Sequence, residues 1–92
     1  MADHRSFRST IRYFHPAKGS GLTVADVPDG VTARLGGLKQ LRVRALINGK
    51  EFRSNTMPAG GGKLALSLNR AILKECGLTV GDEAEFEVER LI

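Results

Sequence analysis

The run Gly60-Gly61-Gly62-Lys63 is the segment whose composition points most directly to chemistry. Successive backbone N–H groups in a glycine turn, with an ammonium beside them, can cradle a phosphate or another anion. The run is not a P-loop. Met57 stands where the first glycine would be, and Leu64 where the Ser or Thr would be. Gly60, Gly61, Gly62 and Lys63 are the candidate ligand- or anion-binding residues, against the plainer reading that they form a flexible turn.

The other reactive side chains are few and scattered. His4 and His15 are the only histidines and Cys76 the only cysteine, and their positions carry no metal-ligand spacing. No catalytic set, metal site or cofactor is assigned. His4 falls in a terminal segment expected to fray. Cys76 lies on the apolar face of an expected helix, where a thiol is buried and inert. Asp26 and Asp29 flank Pro28, and Asp29 is placed to begin a helix.

Arginine is the more extensive signal. Arg8, Arg12, Arg42, Arg44 and Arg53 occupy alternating positions that share the wet face of expected strands. Residues 1–63 hold eleven Lys/Arg and four Asp/Glu, whereas residues 64–92 hold three and six, so a basic front meets an acidic back. Such a front attracts nucleic acid or an anionic ligand, and Arg42, Arg44 and Arg53 are the candidate nucleic-acid-binding residues. The competing reading pairs these arginines with Glu83, Glu85, Glu87 and Glu89, which alternate along the last strand. In a closed barrel the terminal strands are often neighbours. Arg8 and Arg12 are therefore expected to approach Glu85, Glu87 and Glu89.

The elements that must position these groups follow from periodicity. Phe7, Ser9, Ile11 and Tyr13 alternate with Arg8, Thr10 and Arg12, which reads as a strand. Residues 15–21 are a breaker-rich loop. Leu22 to Val27 reads as a second strand stopped by Pro28, and Asp29 to Leu35 as a short helix ended by Gly36-Gly37. Leu41, Val43, Ala45 and Ile47 form a third strand. Asn48-Gly49 then signals a tight hairpin, because a type I′ turn needs positive φ at both central residues. Lys50 to Met57 is the return strand, with Phe52 inward, and Pro58 to Gly62 a flexible turn. Leu64, Leu66 and Leu68 mark a fifth strand. Asn69 caps a helix over Arg70 to Cys76, closed by Gly77. Ala84, Phe86 and Val88 mark the last strand.

The chain also echoes itself. Val27, Val31, Leu35 and Gly36 match Leu68, Ile72, Cys76 and Gly77 at a constant offset of 41 residues, and each half reads strand, helix, strand. With 92 residues there is room for one domain, spanning 1–92. The expected fold is mostly β: a small closed barrel of about six strands with two short helices. A domain this small has a thin core, so either a monomer or a homodimer is compatible with it.

Four motifs come in the order and spacing of one bacterial family. They are Val27-Pro28-Asp29-Gly30-Val31, Ile47-Asn48-Gly49-Lys50-Glu51-Phe52, Met57-Pro58-Ala59-Gly60-Gly61-Gly62-Lys63 and Gly77-Leu78-Thr79-Val80-Gly81-Asp82. Across nearly its whole length the chain resembles the domain of unknown function numbered nineteen hundred and five. The resemblance implies a double-split β-barrel and no established activity. The resemblance also implies a family whose members often carry a second, helical domain, and nothing that domain does is carried over to these residues. A more distant likeness links Lys63–Asn69, Ile72-Leu73-Lys74 and Gly77–Asp82 to the swapped-hairpin AbrB/MazE pattern, in which two short chains pair into a DNA-binding barrel. Here the internal echo suggests that one chain supplies both halves.

These observations lead to a non-catalytic binding or interaction domain, for a small ligand or a protein partner, as the expected function. An AbrB-like DNA-binding regulator is the alternative, and an enzyme with its site in the barrel mouth the third. The binding reading requires an apolar pocket or patch, the DNA reading a contiguous Arg surface with no acidic partner, and the enzyme reading two convergent ionisable groups in a cleft. No apolar run is long enough to span a membrane. The N-terminus lacks the apolar core of a signal peptide. With a single cysteine, the cytoplasm is the expected location.

Overall fold

A computed structural model describes residues 5–15, 17 and 21–91. His4, and Pro16, Lys18, Gly19 and Ser20 of the expected loop, lie outside the described residues. The strands are β1 (Arg5–Tyr13), β2 (Thr23–Val27), β3 (Arg42–Ile47), β4 (Lys50–Gly60), β5 (Lys63–Leu68) and β6 (Glu83–Arg90). The helices are α1 (Asp29–Leu35) and α2 (Arg70–Cys76). All strand pairs are antiparallel, and they close into a barrel in the order β1-β2-β5-β4-β3-β6. Among the described residues, no helix is long and apolar enough to cross a membrane.

Both helix boundaries follow from local chemistry. Asn69 Oδ1 accepts a hydrogen bond from the Ile72 N–H at 2.8 Å, satisfying one of the donors that a helix start leaves free. α1 has no side-chain cap at Pro28; Asp29 places a carboxylate in its first turn, and the Thr32 N–H and hydroxyl both donate to the Pro28 carbonyl, at 2.9 and 3.0 Å. Each helix ends in the same closure. Gly37 N–H donates to Thr32 O and Gly36 N–H to Ala33 O, and Leu78 and Gly77 repeat the pattern on Leu73 and Lys74.

Asn48 and Gly49 have φ of 48° and 86°, as the hairpin requires. Asn48 also ties the turn to β6: its N–H donates to Glu85 O, and its Oδ1 accepts from Glu85 N–H at 3.0 Å. Phe52 is buried inside the barrel with Phe7 and Phe86. The Phe7 and Phe86 rings stack with centroids 5.4 Å apart. Burying each such ring stabilises the fold by about 1.5–3 kcal/mol. Tyr13 and Phe14 are only half-buried.

β4 runs past its expected end. Pro58, Ala59 and Gly60 belong to the strand, and the turn is reduced to Gly61-Gly62. Pro58 is tolerated because a register shift between Pro58 and Gly60 interrupts the ladder there, where a missing N–H costs least. Cys76 also departs from expectation. It is half-buried, with Sγ 3.9 Å from the Ile47 carbonyl oxygen.

The sequence echo is present in the pairing scheme. Advancing β2, α1 and β3 by 41 residues gives positions in β5, α2 and β6, and advancing β1 by 45 gives β4. Under this exchange the Ile11↔Ala25 pair becomes Thr56↔Leu66, and Phe7↔Phe86 becomes Phe52↔Ala45. The β2–β5 and β3–β6 ladders map onto themselves through Ala25↔Leu66 and Leu46↔Glu87. Loop docking follows suit. The Ile11 N–H donates to Asp82 O at 2.8 Å, and the Thr56 N–H donates to Leu41 O at the same distance.

Thr56 adds a feature that Ile11 cannot. Its side chain is fully buried, donates to Lys39 O at 2.9 Å and accepts from Leu41 N–H at 3.1 Å. Thr56→Val removes both bonds and leaves the part-buried Lys39 carbonyl and Leu41 N–H without that partner, so it is expected to cost about 1–2 kcal/mol, measured by urea denaturation. Gly49→Val forces a β-branched residue to positive φ and is expected to cost about 1–2 kcal/mol, lowering the melting temperature. A Gly49→Val variant that melts with the wild type would contradict the turn geometry.

Candidate functional site

The glycine run lies at the exposed tip of the β4–β5 hairpin. Gly61 and Gly62 have φ of 61° and 75°, as two central residues of a tight hairpin turn do. The Lys63 ammonium stands 3.4 Å from Asp29 Oδ1, which ties the hairpin to the start of α1.

Arg42, Arg44 and Arg53 come together on the outer face of β3 and β4, with Arg44 directly opposite Arg53. Arg44 is engaged by two carboxylates, Glu89 at 3.0 Å and Glu51 at 3.5 Å. Among the described residues, Arg42 and Arg53 have no ion-pair or hydrogen-bond partner for their side chains. They border two adjoining clefts of about 420 and 210 Å³, which also share Leu91. Gln40 and Leu41 complete the larger, Ser54 and Asn55 the smaller.

The expected contact between terminal strands is present for one arginine and absent for the other. β1 pairs with β6, and Arg8 lies 3.5 Å from Glu83 and 3.6 Å from Glu85. Arg12 faces the other way, toward β2. Its Nε and Nη2 donate to Asp26 Oδ2 and Oδ1 at 2.9 and 2.7 Å, a two-pronged pair. The hydrogen bond to Asp26 raises the Arg12 pKa above its ordinary value, against a lowering by burial. Nη1 also donates to the Tyr13 carbonyl at 3.0 Å. Arg12 thereby fixes the end of β1.

That strand end forms one wall of a cleft of about 370 Å³ which none of the sequence motifs marked. Tyr13 and Thr23 come from β1 and β2; Arg70, Leu73 and Lys74 from α2; Leu78, Thr79 and Val80 from the loop that follows. Residues three and four apart share a helix face, so Arg70 places Leu73 and Lys74 beside itself. Leu73 is buried, and Leu78 and Val80 pack partly buried against the barrel core, giving the cleft an apolar side. Asp82 holds the loop by accepting from Thr79 N–H at 2.9 Å. Neither Arg70 nor Lys74 has an acidic partner among the described residues. The exchange that relates the two halves gives the Arg70 and Lys74 positions as Asp29 and Ala33, so this cationic rim exists once. An i, i+4 pair of cations around an apolar residue was the one sequence signal for it. Among the described residues, no group of three or more His, Cys, Asp or Glu side chains gathers to hold a metal ion.

The molecule is thus a closed six-stranded barrel of two equivalent halves that carry different charges. Residues 7–88 match the family described as Domain of unknown function (DUF1905), and the chain belongs to that family. No curated protein matches the chain.

Because Asp26 is about half exposed, the Arg12 pair contributes only about 0.5–1 kcal/mol after solvent screening. Arg12→Gln is expected to lower stability by that amount and to shift the emission of Tyr13, the only tyrosine in a chain without tryptophan. Unchanged Tyr13 fluorescence in a destabilised variant would separate the pair from any role in shaping the cleft.

Proposed function

We propose that the protein is a non-catalytic binding domain for a small ligand with an apolar body and an anionic group, seated in the cleft beside α2. One observation carries this reading: an apolar wall of Leu73, Leu78 and Val80 lies next to two cations, Arg70 and Lys74, that no acidic side chain engages among the described residues. Ligand sites are concave and mostly apolar, with a few polar groups that fix orientation. The hydroxyls of Tyr13, Thr23 and Thr79 supply further polar groups. A carboxylate amphiphile fits this chemistry, its tail against the leucines and its head against Arg70 and Lys74.

A DNA-binding role of the AbrB type is less well supported, because Arg8, Arg12 and Arg44 each hold carboxylates. A catalytic role has less support still, since the residues lining the cleft include no carboxylate or imidazole.

The test is a titration with octanoate, followed by Tyr13 emission. Saturable binding is expected, with octanol much weaker because it lacks the charge. Arg70→Ala and Lys74→Ala are each expected to weaken octanoate by about tenfold, the loss of one charge-assisted hydrogen bond. Octanoate that leaves Tyr13 emission unchanged, or binds both variants as tightly as the wild type, would overturn the assignment.

A further inference from the structure

The two halves of the barrel carry the same three-residue arrangement with different charges. In the first half, Arg8 on β1 reaches Glu83 and Glu85 on β6, at 3.5 and 3.6 Å. The exchange of halves takes Arg8 to Arg53, Glu83 to Arg42 and Glu85 to Arg44. The register agrees, since Arg8↔Glu85 and Arg53↔Arg44 are both directly opposed pairs. A guanidinium that sits between two carboxylates in one half therefore sits between two guanidiniums in the other. Like charges directly opposed across strands are destabilising. Glu51 and Glu89 relieve this at Arg44 only. Arg42 and Arg53 remain, exposed and without acidic partners among the described residues, and they line two joined clefts.

We propose that the cleft between Arg42 and Arg53 binds the phosphoryl group of a small phosphorylated molecule, which supplies to Arg53 the negative charge that Glu83 and Glu85 supply to Arg8. Two guanidiniums match the roughly two negative charges of a phosphomonoester at neutral pH, and their planar forks suit phosphate oxygens. The amides of Asn55 and Gln40 add neutral donors. Leu41 and Leu91 offer an apolar wall to the remainder of the ligand. The site takes a compact anion and not an extended one. Glu51 and Glu89 stand beside it on the same face, and they repel the neighbouring phosphates of a nucleic-acid strand. This site is separate from the α2 cleft and does not depend on the function proposed there.

The experiment is a titration of the isotopically labelled protein with phenyl phosphate and with inorganic phosphate, read by amide NMR shifts. Saturable shifts are expected at Arg42, Arg53 and Asn55. Tighter binding of phenyl phosphate assigns a phosphomonoester, and equal binding assigns free phosphate; both support the shared chemistry. Arg53→Gln is expected to weaken binding by about tenfold or more. Arg42→Glu restores the acidic residue of the other cluster at one of the two facing positions. It is expected to abolish phosphate binding while raising the melting temperature in phosphate-free buffer, which a merely damaged protein would not do. Octanoate binding is expected to be unchanged in both variants. Three results would overturn the proposal: no saturable shift at these residues in the wild type, shifts that persist in Arg53→Gln, or a DNA duplex that binds through the same residues more tightly than phosphate at near-physiological salt.

Discussion

Barrel closure is the constraint on which the rest of this structure depends. A six-stranded antiparallel sheet of this size has too little core to leave an edge unpaired, and closure removes both edges. It rests on two ladders that join one half of the chain to the other, β2 with β5 and β3 with β6. Because side chains alternate with a period of two, a slip of one residue in either ladder would turn a whole strand inside out. Ala25, Val27, Leu64, Leu66, Ala45, Ile47, Phe86 and Val88 all point inward from these four strands. The apolar pattern thus fixes the register, and the register decides which charges meet outside.

Much of this was legible locally. Asn48-Gly49 names its own turn, because few residues accept positive φ. Both helices fall at their expected boundaries, since Asn69 and the glycines at 36 and 77 act within one turn of their own position. The 41-residue echo carried the relation between the halves. What was not legible depends on pairing between distant strands. Arg12 alternates with Arg8 in sequence like any residue on one strand face, yet the two serve different neighbours, Asp26 on β2 and the glutamates of β6. Pro58 reads as a breaker, and only a bulge explains its place inside β4. The α2 cleft draws its lining from four stretches of chain, so no window of sequence contains it.

The surface is governed by the same ladders as the core. Each half provides an arginine on its first strand and two facing positions on the last strand of its partner half. In one case those positions are acidic and the arginine is satisfied within the protein. In the other they are basic, and the relief comes from Glu51 and Glu89, which reach Arg44 and stop short of its neighbours. The barrel therefore holds an electrostatic asymmetry on a scaffold whose strand pairing is symmetric.

That asymmetry has a meaning for how such a chain can diversify. A barrel assembled from two identical half-length chains must carry the same side chain at both equivalent positions, so any residue favourable at one site is imposed on the other. Here the Asn48-Gly49 turn joins the end of the first half to the start of the second. Covalent fusion gives each copy of a position its own codon. One copy of the arginine cluster can then keep its internal counterions while the other gives them up, a division of labour closed to any symmetric pair.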